Sequence, residues 1–200
     1  MRFLALGDSY TIGESVPESA RWPVQLVDLL RREGIGVAEL QIIAQTGWTT
    51  AELSAGIDAA VPHGVFDLVS LLIGVNNQYR GLSQAEYRTE FKALLQRAIG
   101  FAGGEPSRVM VLSIPDWGVT PFAADRDRAA IARDIDAFNK INHLTSERVG
   151  AGYVDVTPVS RQAAGDAMMV ADDGLHPSGG MYAQWAELAL PVARRILTNI

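Results

Sequence analysis

FLALGDSYTIG, at residues 3–13, begins with four apolar residues that run directly into a polar turn. Four further, mostly apolar runs follow at residues 40–44, 68–73, 109–114 and 153–156. Their near-continuous apolarity, without strict alternation, is typical of parallel strands that are covered on both faces. The sequence therefore predicts five buried parallel strands.

Segments with helical periodicity separate these predicted strands. The first begins near Pro23 and ends at Gly34, positions that suit the start and the end of a helix. Capping-box patterns at residues 49–52 and 83–86 predict two further helix starts, and Pro191 predicts a kink in the last helix. The apolar stripes of four helices are Trp22, Leu26, Leu29 and Leu30; Phe91, Leu94, Leu95, Ala98 and Ile99; Ile131, Ile135 and Phe138; and Met181, Trp185, Leu188 and Val192.

Strands and helices alternate along the chain, without an internal repeat or a linker that could divide it. This pattern predicts a single doubly wound α/β domain over residues 1–200. In such sheets, ligands bind beyond the carboxyl ends of the strands. We therefore expect the chemistry to lie in the turns that follow the strands.

The composition argues against several classes of function. Seventeen Lys and Arg against 23 Asp and Glu give a net charge of −6, which opposes binding to nucleic acid or to anionic lipid. The chain has no cysteine, and its three histidines lack the paired short spacing of a helical zinc site, so we expect no metal and no cofactor. The apolar run at the start is too short for a signal peptide or a membrane span, which indicates a cytoplasmic protein without stable membrane insertion.

Polar residues that could carry chemistry follow three of the predicted strands. Ser9 lies in the turn after the first strand, Gly47 in the turn after the second, and Asn76 in the turn after the third. Near the C-terminus, Asp173 stands three residues before His176, so a loop turn could bring the two side chains together. Taken singly, the residues of these turns are common turn formers.

Four blocks of the sequence, taken together and in this order, resemble the SGNH hydrolases, which are also called the GDSL esterases and lipases. They are Gly-Asp-Ser at residues 7–9, a glycine at 47, Gly-x-Asn at 74–76 and Asp-x-x-His at 173–176. The resemblance covers nearly the whole chain. It implies a flavodoxin-like three-layer α/β/α sandwich with a five-stranded parallel sheet in the order 2-1-3-4-5.

The resemblance also implies a role for each candidate residue. Ser9 would be the nucleophile, His176 the general base, and Asp173 the group that orients the imidazole. The Ser9 N–H, the Gly47 N–H and the Asn76 side-chain amide would form the oxyanion hole. Chemistry supports this assignment, because a serine hydroxyl is a poor nucleophile until an oriented imidazole takes its proton.

In the implied strand order, the first strand lies between the second and the third. Because neighbouring strands lie about 4.8 Å apart, the turns that carry the three oxyanion donors would sit within roughly 10 Å of one another. The sequence departs from the family pattern at Asn77, where many members carry Asp, and at Gln45-Thr46-Gly47-Trp48, which replaces a serine-rich block. Neither departure touches the proposed catalytic groups.

Bulky side chains in the turns after the second, third and fourth strands are candidates for the wall of a substrate pocket. They are Trp48, Tyr79, Trp117 and Phe122. Because the chain has no long insertion that could build a lid or a deep tunnel, we expect a shallow pocket that takes short acyl chains. We expect no catalytic role for His63 and His143, and we expect Asp8 to cap or brace the first turn.

These observations predict a metal-independent serine esterase that hydrolyses short-chain carboxylic esters, with a small-molecule ester as its partner. Carbohydrate O-deacetylase, lysophospholipase and thioesterase activities use the same chemistry and stay open. The rival from another class is a non-catalytic flavodoxin-like module that binds a small ligand; the intact set of Ser9, Asp173 and His176 argues against it. The Gly-x-Ser-x-Gly elbow of the α/β-hydrolases and the Gly-Lys-Ser/Thr ending of a phosphate loop are both absent from the sequence.

Overall fold

The computed structural model describes residues 1–198, and its centre is a five-stranded sheet. The strands are β1 (Arg2–Asp8), β2 (Glu39–Gln45), β3 (Leu68–Leu72), β4 (Val109–Leu112) and β5 (Gly152–Val154). They lie in the order β2-β1-β3-β4-β5, and each pair of neighbours is parallel. The predicted α/β class and the strand order implied by the resemblance are both confirmed.

Helices cover the sheet in two layers. They are α1 (Ser9–Ile12), α2 (Trp22–Arg32), α3 (Thr50–Ala60), α4 (Val75–Tyr79), α5 (Gln84–Phe101), α6 (Arg128–Val149), α7 (Thr157–Ser160) and α8 (Gly179–Thr198). Helix α2 packs against α8, whereas α5 lies between α3 and α6 and contacts both. None of the helices within residues 1–198 combines the length and the apolarity needed to cross a bilayer.

The central strands are buried as the sequence predicts, but the edge strand β2 is not. Residues 3–6 of β1 and all residues of β3 and β4 are buried. In β2, Ile43 is the buried residue, and the others are half-buried or exposed. The difference arises because β1 pairs on both of its edges, whereas β2 pairs with β1 alone.

Two strands end earlier than the apolar runs that predict them. The run at 109–114 continues past the end of β4 at Leu112, and the run at 153–156 continues past the end of β5 at Val154. Of the residues beyond these strands, Ile114 and Val156 are buried, and their amides bond to side chains rather than to a neighbouring strand. Ser113 Oγ accepts the Val156 amide at 2.8 Å, and the Ile114 amide donates to Oδ1 of Asn139 at 2.8 Å.

Side chains cap two helices where the sequence predicts helix starts. Thr49 and Glu52 form the complete capping box at the start of α3, each side chain accepting the other residue's backbone amide. At the start of α5, Ser83 Oγ accepts the Glu86 amide at 3.1 Å, but the described chain shows no return bond from the Ser83 amide to Glu86. The second prediction is therefore right about the helix start and wrong about the reciprocal bond, and Ser83 itself is exposed.

The long helix α8 runs through Pro191 and buries both large and small residues. Its fully buried residues are Tyr182, Trp185, Ala186, Ala189 and Ala193, whereas Leu188 is 41% exposed. The predicted stripe is therefore right at Met181 and Trp185, which are buried, and wrong at Leu188, which lies at the border of the buried face.

Candidate active site

The catalytic candidates meet at the carboxyl end of the sheet. Ser9 is the first residue of α1 and directly follows β1. Its Oγ lies 2.9 Å from Nε2 of His176, and Nδ1 of the same imidazole lies 2.6 Å from Oδ2 of Asp173. Ser9 and His176 are both buried. The structure therefore brings the predicted nucleophile, base and orienting carboxylate into one hydrogen-bonded chain.

The loop that carries Asp173 and His176 is fixed by its own backbone. Oδ1 of Asp173 accepts the amides of Leu175 and His176, both at 2.9 Å. The Ala171 amide donates to the His176 carbonyl at 2.8 Å, and Gly174 has a φ of +71°, which glycine adopts without strain. These bonds set the imidazole in place before any substrate arrives.

Hydrogen bonds keep Asp173 ionised despite its partial burial. Burial alone would raise the pKa of this carboxyl, but bonds from His176, from Ser15 and from two amides hold the pKa of Asp173 well below its usual range. An ionised Asp173 accepts a hydrogen bond, so Nδ1 of His176 must donate. Nε2 is then free to accept the proton of Ser9.

Ser15 is a member of this site that the sequence analysis missed. Its Oγ donates to Oδ2 of Asp173 at 2.7 Å, the oxygen that also faces His176. Ser15 has a φ of +63°, a left-handed conformation that is uncommon outside glycine and is held by surrounding contacts. No sequence signal marks it, because its partner lies 158 positions away.

The turns with the proposed oxyanion donors lie side by side, because β1 pairs with β2 on one edge and with β3 on the other. Ser9 follows β1, Gly47 follows β2 with a φ of +83°, and Asn76 lies in α4 after β3. The three candidate donors therefore share one edge of the sheet.

Helix α4 is bonded to the turn that carries Gly47. Nδ2 of Asn76 donates to the Trp48 carbonyl at 3.0 Å, which uses one of its two amide hydrogens. Asn77 accepts the Thr50 amide at 3.0 Å and donates to Thr50 Oγ1 at 2.6 Å. An Asp at position 77 could not make the second bond as a donor. Asn77 thus ties α4 to α3 in a way that an acidic residue would not.

A cavity of about 140 Å³ opens beside Ser9 and His176. Three of the four predicted wall residues line it, and they pack against one another: the ring centroids of Tyr79 and Trp117 are 5.3 Å apart, and those of Trp117 and Phe122 are 6.1 Å apart. Trp117 is buried, with its Nε1 donating to Oε1 of Gln78 at 2.7 Å, whereas Tyr79 and Phe122 are 46% and 44% exposed. Trp117 therefore forms the floor of the cavity and the other two form its rim.

Trp48, the fourth predicted wall residue, is not among the residues that line this cavity. Its indole packs on Gly56 of α3, where an added Cβ would lie 2.1 Å from the ring. The position of Trp48 in the turn after β2 did not fix the direction of its side chain. Only its carbonyl contributes to the site, through the bond from Asn76.

The sequence analysis missed three lining residues: Tyr10, Val75 and Leu175. Each is the immediate neighbour of a residue that the motifs point to, and this adjacency is the signal that could have found them. His63 and His143 do not line the cavity, and His143 stacks on Tyr153 at a centroid distance of 4.3 Å.

Asp8 caps α1, with its Oδ1 accepting the Tyr10 amide at 3.0 Å. Its Oδ2 is buried and has no hydrogen-bond partner among the described residues. Burial raises the pKa of Asp8 to about 7, since a charge at this position is removed from water.

Solved structures with the same fold cover nearly the whole chain. TesA has a TM-score of 0.74 at 21% identity, over 98% of this chain and 99% of its own. A lipolytic protein of the G-D-S-L family from Desulfitobacterium hafniense DCB-2, described as putative, has a TM-score of 0.75 at 16% identity, over 96% and 98%. Axe2, an acetylxylan esterase from Geobacillus stearothermophilus, has a TM-score of 0.70 at 17% identity, over 98% and 93%. At these identities the likeness establishes the fold alone.

The sequence itself gives a more specific result. A search of curated protein sequences finds no match. The model of the GDSL-like lipase/acylhydrolase family, however, matches residues 5–184, a range that contains the Ser9 turn, both proposed oxyanion turns and the His176 loop. The chain belongs to the GDSL-like lipase/acylhydrolase family, as its resemblance to the SGNH hydrolases implied.

Proposed function

We propose that the protein is a serine esterase that hydrolyses short-chain carboxylic esters without a metal, through an acyl-Ser9 intermediate. The observation that carries the proposal is the hydrogen-bonded chain from Ser9 Oγ to His176 Nε2 at 2.9 Å and from His176 Nδ1 to Asp173 at 2.6 Å. This arrangement supplies a nucleophile, a base in reach of its proton, and an acceptor that fixes the tautomer of the base.

The reaction proceeds in two halves. Ser9 Oγ attacks the ester carbonyl carbon while its proton passes to Nε2 of His176, and the alcohol then leaves with that proton as the C–O bond breaks. In the second half, His176 takes a proton from water, the resulting hydroxide attacks the acyl carbon, and the bond to Ser9 breaks. The acid is released, and the proton returns to Ser9.

Each half passes through a tetrahedral oxyanion. The Ser9 N–H, the Gly47 N–H and Nδ2 of Asn76 are the proposed donors to this oxygen. Such donors act on charge that develops only in the transition state, and each contributes about 3 kcal/mol to lowering the barrier. The bond from Asn76 to the Trp48 carbonyl supports this role, because it holds the amide still before substrate binds.

The size of the cavity favours short acyl chains. At about 140 Å³ it is smaller than the clefts of roughly 300–1,000 Å³ that hold drug-sized ligands. Buried Trp117 closes its floor. Each acyl methylene contributes about 0.8 kcal/mol while it is buried and nothing once it emerges into water.

A series of p-nitrophenyl esters tests this proposal. We expect kcat/KM to peak between acetate and hexanoate and to fall beyond octanoate, and we expect Trp117→Ala to move the peak to longer chains. Turnover should be absent in Ser9→Ala. A rise that continues to palmitate would instead favour a lysophospholipase or thioesterase. No turnover by the wild type above the uncatalysed rate would favour the non-catalytic ligand-binding module.

The exposed rim favours one second candidate, a carbohydrate O-deacetylase. Tyr79 and Phe122 present flat apolar surfaces at the mouth of the cavity, where the alcohol part of an ester would lie. A small cavity for an acetyl group and an aromatic rim for a sugar ring fit this activity. Release of acetate from acetylated xylan, compared with release from p-nitrophenyl acetate, distinguishes it from a simple esterase.

A further inference from the structure

Arg80, the residue that follows α4, binds the turn that carries Gly47. Its Nη2 donates to the Gly47 carbonyl at 2.6 Å, and its Nη1 donates to Oε1 of Glu52 at 3.2 Å. The other carboxylate oxygen of Glu52 accepts the Thr49 amide at 2.8 Å. One guanidinium therefore joins α4 to Gly47 directly and to the start of α3 through Glu52.

The exposure of this contact argues against a role in stability. The side chains of Arg80 and Glu52 are 45% and 43% exposed. Ion pairs with this exposure contribute little to stability, because water screens the charges and both side chains lose conformational freedom. Arg80 and Gly47 are both absent from the residues that line the cavity, and the proposed contact of Gly47 with the substrate is through its backbone N–H alone.

The bond to Gly47 has a geometric consequence instead. Gly47 has a φ of +83°, in the region where glycine is free and other residues are strained. A glycine is also free to leave that conformation, so the direction of its N–H depends on contacts that hold the neighbouring peptide. The 2.6 Å bond from Arg80 to the Gly47 carbonyl is such a contact.

We infer that Arg80 is a positioning residue that holds the Gly47 N–H in place for the oxyanion. The inference rests on the proposed function, because it matters only if Ser9 generates an oxyanion beside Gly47. Oxyanion donors work by being fixed before the reaction begins. Loss of Arg80 therefore lowers kcat more than it changes KM, since the oxyanion exists only in the transition state.

Arg97 provides a matched control. Its Nη1 donates to the Ser54 carbonyl at 2.9 Å, and its Nη2 donates to Oδ1 of Asp58 at 2.6 Å. Arg97 thus ties α5 to α3 through the same combination of a backbone carbonyl and a carboxylate as Arg80. Its partners lie within α3 and not in the turn of Gly47.

The experiment compares Arg80→Ala with Arg97→Ala on p-nitrophenyl acetate. Outright loss of an oxyanion donor lowers kcat by about 10²–10³, so a donor that is present but poorly fixed should lower it by about tenfold. KM should stay within about twofold of wild type, and Arg97→Ala should keep the wild-type kcat. The affinity for a trifluoromethyl ketone, which forms a tetrahedral adduct with a catalytic serine, should fall by the same factor as kcat.

Two additions make the test independent of folding defects. Guanidinium chloride at a concentration that does not denature the protein should raise kcat of Arg80→Ala, whereas sodium chloride at the same concentration should not. Arg80→Lys keeps the charge but lacks the fork that binds two acceptors at once, so it should also lose kcat while it stays folded.

Wild-type kcat in Arg80→Ala or Arg80→Lys, or a loss confined to KM, would overturn the inference. Equal losses in the Arg80 and Arg97 variants would do the same, because they would indicate a general effect on packing. Failure of the proposed function would give a different result. The wild type would then show no turnover that Ser9→Ala abolishes, and the proposed role of Arg80 would be refuted as well.

Discussion

Substitution of Asn76 and of its neighbour Asn77 separates catalysis from stability within one turn of α4. Asn76 lines the cavity beside Ser9 and donates to the Trp48 carbonyl at 3.0 Å. Asn77 is fully buried and makes two hydrogen bonds to Thr50, at 2.6 and 3.0 Å. The same change to alanine therefore removes a proposed oxyanion donor in one variant and a structural tie in the other.

Asn76→Ala should lower kcat by about 10²–10³, equivalent to roughly 3–4 kcal/mol of transition-state stabilisation, with KM nearly unchanged. Its free energy of unfolding should fall by only about 1 kcal/mol, because water can replace the amide at the carbonyl of half-buried Trp48.

Asn77→Ala should instead lower the stability strongly and kcat only weakly. Loss of two hydrogen bonds in a site closed to water, with the Thr50 amide left unpaired, should lower the free energy of unfolding by about 2–4 kcal/mol. For a chain of this size that corresponds to a fall in Tm of roughly 5–15 °C. The proposed donor on Asn76 stays in the protein, so kcat should fall far less than in Asn76→Ala.

For each of the two variants, steady-state kinetics on p-nitrophenyl acetate give kcat and KM. Thermal unfolding followed by circular dichroism gives Tm. A raised KM with preserved kcat in Asn76→Ala would make Asn76 a ground-state binding residue. An equal loss of kcat in a folded Asn77→Ala would refute the reasoning that separates the two side chains.

The protein should become less stable as the pH rises from about 4 to about 7, because burial raises the pKa of Asp8 to about 7. Over this range the folded state keeps a proton on Asp8 that the unfolded chain has released. Urea midpoints measured across this range should fall by less in Asp8→Asn than in wild type. His176→Ala should lose most activity on p-nitrophenyl acetate, because Ser9 then has no imidazole to take its proton; near-native rates in that variant would mean another base. Ser15→Gly should be more stable than Ser15→Ala by about 1 kcal/mol, because glycine adopts the φ of +63° without strain, and equal Tm values would argue against that strain.

The sequence predicts the sheet well because apolarity and strand pairing coincide in its centre. They separate beyond the end of β4, where Ile114 is buried although its amide donates to Asn139 of α6 and not to a neighbouring strand. An apolar run predicts that its residues are buried, but it does not predict whether a strand, a helix or a loop covers them. Leu188 is a separate case, since it lies at the border of the buried face of α8, where its neighbour Ala189 is buried instead.

The resemblance to the SGNH hydrolases locates Ser9, Asp173 and His176. Strand order places the turn of Ser9 at the carboxyl edge of the sheet, whereas the loop of Asp173 and His176 follows no strand directly and is marked by its Asp-x-x-His motif alone. The contacts of Ser15 and Arg80 join loops that are distant in sequence, so the local spacing of residues does not predict them. Trp48 is an intermediate case: Gly56 in the middle of α3 is an unusual helix residue, and it marks the place where the indole packs.

Covalent labelling of Ser9 tests the central claim most directly. A fluorophosphonate reacts with a serine only where a base activates the hydroxyl, so intact-mass measurement should show one adduct per chain, and peptide mapping should place it on Ser9. Labelling should be lost in Ser9→Ala and strongly slowed in His176→Ala, whose Ser9 lacks the imidazole 2.9 Å away. An adduct on another residue with Ser9 unmodified, or unchanged labelling in His176→Ala, would contradict the assignment of Ser9 and His176 as nucleophile and base.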